Sequence, residues 1–130
     1  MKTESFIEKM GFKWTDFFKD WIESKDPEVV YSKIKKDSQR KKIFPKSPDV
    51  FNAFKYCDID NLKLIVILME PYSGEDWKMG IPQSDGIAMS CSNSEKIQPS
   101  LATFFEGLAN EYSLDYESFY KTNDLKHLSE

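Results

Sequence analysis

The stretch Leu62–Met69 reads LKLIVILM, and its last six residues form the longest apolar run of the chain. The apolar side chains follow one another without alternation, and several of them are β-branched. This pattern is typical of a strand that is buried on both faces, as in a parallel sheet with helices on each side. We therefore predict a layered α/β domain with this stretch as a central strand.

The flanking residues predict helices before and after this strand. Apolar residues over 14–22 recur at helical spacing, and Asp26-Pro27 is a typical helix start, so two helices are expected before the strand. A second short strand is expected over 86–91, and Pro99-Ser100 is expected to open a strong helix. Weaker patterns predict a helical turn over 51–56 and short helices over 116–120 and 124–128.

Length and composition limit the possible classes of protein. The 130 residues are 40% hydrophobic and 15% aromatic, which predicts one folded domain over 1–130 and excludes intrinsic disorder. The run of six apolar residues is far shorter than the roughly 20 that a membrane helix needs, so no membrane partner is expected. The first residues lack the apolar region of a signal peptide, and two cysteines make no disulfide framework, so a cytoplasmic location is expected.

The chemistry-bearing residues argue against several kinds of site. His127 is the only histidine, which disfavours a Ser-His-Asp triad and a histidine-based zinc site. We expect no metal and no cofactor.

Charge is distributed unevenly along the chain. The net charge is −4, which excludes a uniformly basic nucleic-acid binder, but residues 33–46 carry seven basic residues and one acidic residue. A local basic stretch can contact phosphates while an acidic remainder limits non-specific binding. A solvated helix face or linker is the alternative interpretation. Lysine dominates over arginine, so bidentate recognition of guanine is not expected.

The end of the predicted strand carries candidate catalytic groups. Ligands bind at the carboxyl ends of strands in open α/β sheets, and Glu70 and Tyr72 follow the strand directly. A carboxylate there can orient or deprotonate water, and a tyrosine can form the wall of a pocket for a planar ring. The helix start at Pro99-Ser100 offers free N–H groups to a phosphate. An ordinary turn with Glu70 in solvent is the alternative.

Four motifs and a hydrophobic strand, in order, give the chain a resemblance to the uracil-DNA glycosylase family over roughly residues 14–130. The family shows F-N-A-F, a hydrophobic strand, G-Q-D-P-Y-H-G, G-L-[AC]-F-S, and P-S-L at a helix start. The corresponding segments here are Phe51–Phe54, Leu64–Leu68, Leu68–Gly74, Gly86–Ser90 and Pro99–Leu101. The resemblance implies a three-layer α/β/α sandwich around a short parallel sheet. It also implies a hydrolase of DNA base-excision repair that flips uracil out of the stack and hydrolyses its N-glycosidic bond.

The resemblance implies a role for each matched residue. Glu70 takes the place of the aspartate that activates water, and Tyr72 that of the tyrosine that excludes the thymine methyl group. Met69 and Met89 fall at positions that line the uracil pocket. The positions that the family places near DNA phosphates correspond to Ser90, Pro99 and Ser100.

Departures from the family pattern predict weak activity. The extra methylene of Glu70 relative to aspartate moves the carboxylate by about an ångström, which can lower a rate by orders of magnitude. Leu68, Met69, Ser73 and Met89 also differ from the family motifs.

The resemblance extends only to the N-terminal half of the family fold. The family continues with a strand that ends in a uracil-reading asparagine and with a histidine loop, and we expect this C-terminal catalytic half to be absent. The chain alone is then expected to be inactive or weak. DNA, single- or double-stranded, is the expected partner through phosphate contacts, and a second chain or a self-dimer is expected to cover the exposed sheet. A non-catalytic DNA-binding or protein-interaction module, derived from a glycosylase, is one alternative. An unrelated small α/β interaction domain is another.

Overall fold

The structure, a computed structural model, describes residues 3–75, 80–117, 122 and 124–126. Its α-helices are α1 (Thr3–Met10), α2 (Phe12–Phe17), α3 (Lys19–Glu23), α4 (Asp26–Ser38), α5 (Asn52–Tyr56) and α6 (Pro99–Glu111), and single 3₁₀ turns cover Ser47–Asp49 and Ile59–Asn61. Among the described helices, none combines the length and the apolar character needed to span a bilayer.

The helices predicted over 14–22, from Asp26, over 51–56 and from Pro99 form, with one division that was not expected. The pattern over 14–22 corresponds to two helices, α2 and α3, separated at Phe18. The break is local, because Phe18 N–H still donates to Trp14 O at 3.0 Å and Ile22 N–H to Phe18 O at 2.9 Å. Helix α1 was not predicted. Helix α4 includes Asp26, α5 matches the predicted helical turn, and α6 begins at Pro99 as expected.

Aromatic side chains build the larger core, which we call the aromatic cluster. Trp14 is central, because its ring lies 5.1 Å from that of Phe54 and its indole N–H donates to Cys57 O at 2.6 Å. The hydrogen bond satisfies the polar edge of a buried ring. Four buried residues form the cluster and five others pack against it: Phe6, Met10, Trp14 and Ile22, then Phe18, Phe51, Phe54, Ile59 and Leu62.

Helix α6 builds a second, smaller core, which we call the α6 cluster. Leu101 and Phe105 lie one helical turn apart on its buried face, and Leu125 packs with them. Ile87 and Met89, from the preceding loop, pack against this cluster. Phe104 and Tyr112, which the helical spacing also assigned to the apolar face, are 42% and 69% exposed.

The predicted α/β/α sandwich with a parallel sheet is wrong for the part of the chain that the structure describes. That part is helical and irregular, contains no strand, and has one isolated antiparallel bridge between Glu75 and Pro82. The segment Leu62–Met69 is extended but unpaired, and Gly86–Cys91 forms turns instead of a strand. A strand requires a neighbour for its backbone N–H and C=O groups, and no described segment supplies one.

The apolar run Leu64–Met69 is consequently exposed instead of buried on both faces. Ile67 is 86% exposed and Met69 is 96% exposed. The short helices predicted over 116–120 and 124–128 fall mostly outside the described residues.

Candidate active site

A cleft of about 310 Å³ lies between the end of the apolar run, the loop over residues 84–90 and the start of α6. Six of the seven predicted site residues line it: Met69, Glu70, Tyr72, Met89, Ser90 and Ser100. The seventh, Pro99, is the first residue of α6. Segments that lie far apart in the sequence, from Pro45 to Ser100, therefore meet at one cavity. The roles assigned to these residues stay predictions.

Tyr72 connects the segment after the apolar run to helix α6. Its hydroxyl lies 3.2 Å from Ser100 Oγ, within hydrogen-bond distance. This contact places Glu70, two residues before Tyr72, on the same cleft as the helix start. The structure therefore brings these two elements together.

Glu70 is an exposed carboxylate at the edge of the cleft. Within the described residues, no ion pair or hydrogen bond engages its side chain. A carboxylate in this state can accept a proton from a water molecule or orient it, provided that a substrate brings that water close.

The start of α6 can accept an anion. Gln98 is the N-cap with extended backbone, no side chain caps the helix, and the first intrahelical donor is Ala102 N–H, which bonds Gln98 O at 2.9 Å. Pro99 has no N–H, so the amides of Ser100 and Leu101 are the ones without a helical acceptor. The helix dipole adds a partial positive charge at the same place.

Asp85 organises the loop that forms one wall of the cleft, and the sequence analysis missed it. The residue is buried, and its carboxylate accepts hydrogen bonds from Ser90 Oγ at 2.7 Å, from Ser92 N–H at 3.1 Å and from Ile87 N–H at 3.3 Å. Its carbonyl oxygen accepts from Asn52 Nδ2 at 2.6 Å, which ties the loop to α5. The Asp85-Gly86 pair is a turn signal that could have revealed this arrangement.

Ser90 is buried, and its hydroxyl has partners within the protein. Besides donating to Asp85, Ser90 Oγ accepts from Leu125 N–H at 3.2 Å. The residue thereby fixes the segment near Leu125 against the wall of the cleft. Its neighbour Met89 has φ of 62°, a left-handed conformation that costs about 1–2 kcal/mol in a non-glycine residue. This backbone places Met89 between the cleft and the α6 cluster.

Other candidate chemistries find less support. Burial raises the pKa of the Cys91 thiol, so the thiol stays protonated and is a poor nucleophile. Within the described ranges, no group of three or more His, Cys, Asp and Glu residues is placed to hold a metal ion.

Curated proteins named uracil-DNA glycosylase are similar to this chain. Uracil-DNA glycosylase 2 of Listeria monocytogenes serotype 4b is 29% identical over 107 residues, which cover 82% of this chain and 45% of the relative. The uracil-DNA glycosylase of Francisella tularensis subsp. novicida is 38% identical over 69 residues, 53% of this chain and 29% of the relative. That of Aliivibrio salmonicida is 38% identical over 74 residues, 57% of this chain and 30% of the relative.

These similarities confirm the resemblance to the uracil-DNA glycosylase family that the motifs indicate. The chain spans less than half the length of the curated relatives it matches. No family model matches the chain, and no solved structure matches it.

Proposed function

We propose that this chain takes part in the hydrolysis of the uracil N-glycosidic bond in DNA. The observation that carries the proposal is the cleft in which Glu70, Tyr72 and the start of α6 meet, in a chain similar to uracil-DNA glycosylases. A target base is inaccessible inside the duplex stack, so the uracil nucleotide would be flipped into the cleft or taken from single-stranded DNA.

The predicted site residues take the following roles in this reaction. Glu70 orients a water molecule and accepts its proton as the water oxygen bonds to C1′ of the sugar. The bond between C1′ and N1 of uracil breaks, and uracil leaves with the electron pair and is then protonated. Tyr72 forms the wall that rejects the 5-methyl group of thymine, and Met69 and Met89 contact the base. We assign the DNA phosphates to the region of Ser90, Pro99 and Ser100, where α6 begins.

We expect slow turnover from these residues alone. The carboxylate of Glu70 sits on a longer side chain than the aspartate that the family resemblance implies, and a displacement of about an ångström can cost two orders of magnitude.

Uracil release from a single-stranded oligonucleotide tests the proposal. Glu70→Gln keeps the size of the side chain but removes the base, so release should fall by about 10²-fold or more. Glu111→Gln, at the exposed end of α6, is the matched control and should leave the rate unchanged. No release at enzyme in large excess over DNA, or equal release by the Glu70 variant, would contradict the proposal.

A second candidate is a non-catalytic protein-interaction module. The exposed apolar run Leu64–Met69 favours it, since contiguous exposed apolar surface marks interaction sites. A second chain or a second copy of this chain would cover the run. Light scattering of the purified protein distinguishes a self-dimer from a complex with a different chain, because only a self-dimer doubles the mass of 15.2 kDa in the absence of other chains.

A further inference from the structure

A second hollow, open and about 500 Å³ in volume, adjoins the cleft. We call it the basic hollow, because four of the residues that line it are cations: Arg40, Lys41, Lys42 and Lys46. The residue Pro45 lines the cleft, while its neighbours Phe44 and Lys46 line the basic hollow. The two cavities therefore lie next to each other at Phe44–Lys46.

Two further segments also border both cavities. Tyr72 lines the cleft and Glu75 the basic hollow, and likewise Ser84 lines the cleft and Pro82 the hollow. A flexible polymer that enters the cleft with one unit would thus have to pass over only these shared segments to place its next units in the basic hollow.

The charge of the basic hollow is largely free for a ligand. Lys42 pairs with Glu75 at 2.6 Å, and among the described residues Glu75 is the one acidic residue that lines the hollow. In the described part of the chain, Arg40, Lys41 and Lys46 are exposed and have no carboxylate within ion-pair distance. Like charges that the protein leaves together repel one another, and a polyanion relieves that repulsion.

The hollow also contains an aromatic ring. Phe44 is half-buried and lines the hollow beside the lysines. Proteins that bind single-stranded nucleic acid without sequence preference combine a basic groove for the backbone with aromatic side chains on which bases stack. Bases inside a duplex cannot stack on such a ring, so the combination favours a single strand.

We propose that the basic hollow binds the phosphodiester backbone and an unstacked base of the single-stranded DNA that flanks the nucleotide held in the cleft. This inference rests on the proposed function for the identity of the polymer. Recognition is independent of sequence, because lysines contact phosphates and Phe44 stacks on any base.

The salt dependence of DNA binding tests this proposal. The hollow variant combines Lys41→Gln with Lys46→Gln and removes two cations of the hollow. The control variant combines Lys19→Gln with Lys25→Gln and removes two exposed lysines near the starts of α3 and α4. Both double variants have the same net charge. The probe is a fluorescein-labelled thymidine 16-mer without uracil, and the measurement is fluorescence anisotropy across a salt series.

We expect the hollow variant to bind about 10- to 30-fold more weakly near 0.1 M salt, with a slope of log K against log salt that is shallower by about 1.4. For the control variant, both the affinity and the slope should stay close to the wild-type values. Phe44→Leu should weaken binding without changing the slope, because it removes stacking and no charge.

Three results would overturn the inference. One is an equal loss in the two lysine variants, which would show only an effect of net charge. Another is no binding of the 16-mer by the wild-type chain. The third is equally tight, Lys41- and Lys46-dependent binding of a polyglutamate of matched charge, which would indicate an acidic protein partner. Because the probe carries no uracil, these results are separate from the uracil-release experiment, and either proposal can fail without the other.

Discussion

The aromatic cluster and the apolar run Leu64–Met69 are adjacent in the sequence and opposite in burial. Ile22 in the cluster is 5% exposed, whereas Ile67 in the run is 86% exposed. The side chains are identical, so hydrophobicity does not account for the difference. Helices satisfy their own backbone hydrogen bonds and can pack as soon as they form, while an extended segment must find a partner for its backbone first. Burial here follows from backbone pairing.

The largest expected effect comes from truncating the same residue type in the two regions. Ile22→Ala should lower the free energy of unfolding by about 2–5 kcal/mol, because it leaves a cavity in the aromatic cluster. Ile67→Ala should change it by less than about 0.5 kcal/mol, since the side chain is in solvent. Urea unfolding followed by tryptophan fluorescence measures both. A comparable loss from Ile67→Ala would mean that the run is buried in solution and would break the comparison.

A smaller effect is expected in the loop that forms the wall of the cleft, which is irregular like the apolar run but fixed in place. Gly86 has φ of 87°, and a Cβ there would overlap the carbonyl oxygen of Asp49, so Gly86→Ala should destabilise the protein by about 2 kcal/mol or more.

Gly107→Ala is the matched control for that substitution. Nothing lies within 4 Å of a Cβ at this position in α6, so the change should stabilise the protein by up to about 1 kcal/mol. Opposite shifts of the thermal midpoint are the expected signature. A neutral Gly86→Ala would mean that the loop is as unconstrained as the run.

Ile67→Lys is expected to have the smallest effect on the folding stability of the single chain, but a specific effect on the mass of the protein in solution. If a second copy covers the run, the wild-type chain scatters light as twice 15.2 kDa and this variant as a single chain, because a buried lysine disfavours the contact. A wild-type chain that stays monomeric at tens of micromolar would exclude the second copy as the partner.

The sequence predicted helices whose hydrogen bonds and caps join residues close together in the chain. Helix α6 begins at Pro99 because proline suits the first helical turn, and its buried residues Leu101 and Phe105 follow the predicted spacing. The motifs that carry the family resemblance also include six residues that line the cleft, while the roles assigned to them stay predictions. It did not reveal Asp85, whose importance depends on hydrogen bonds to Ser90 and Ser92 that form only after the loop closes.

The amino-acid sequence by itself determined that helices form from Asp26, over 51–56 and from Pro99, because helical hydrogen bonds and caps lie within a few residues of each other. Tertiary structure alone decided whether Leu64–Met69 is a strand, because strand pairing depends on residues that the local pattern does not contain. It also decided that the cleft and the basic hollow share one wall at Phe44–Lys46, since cavities arise only where distant segments meet.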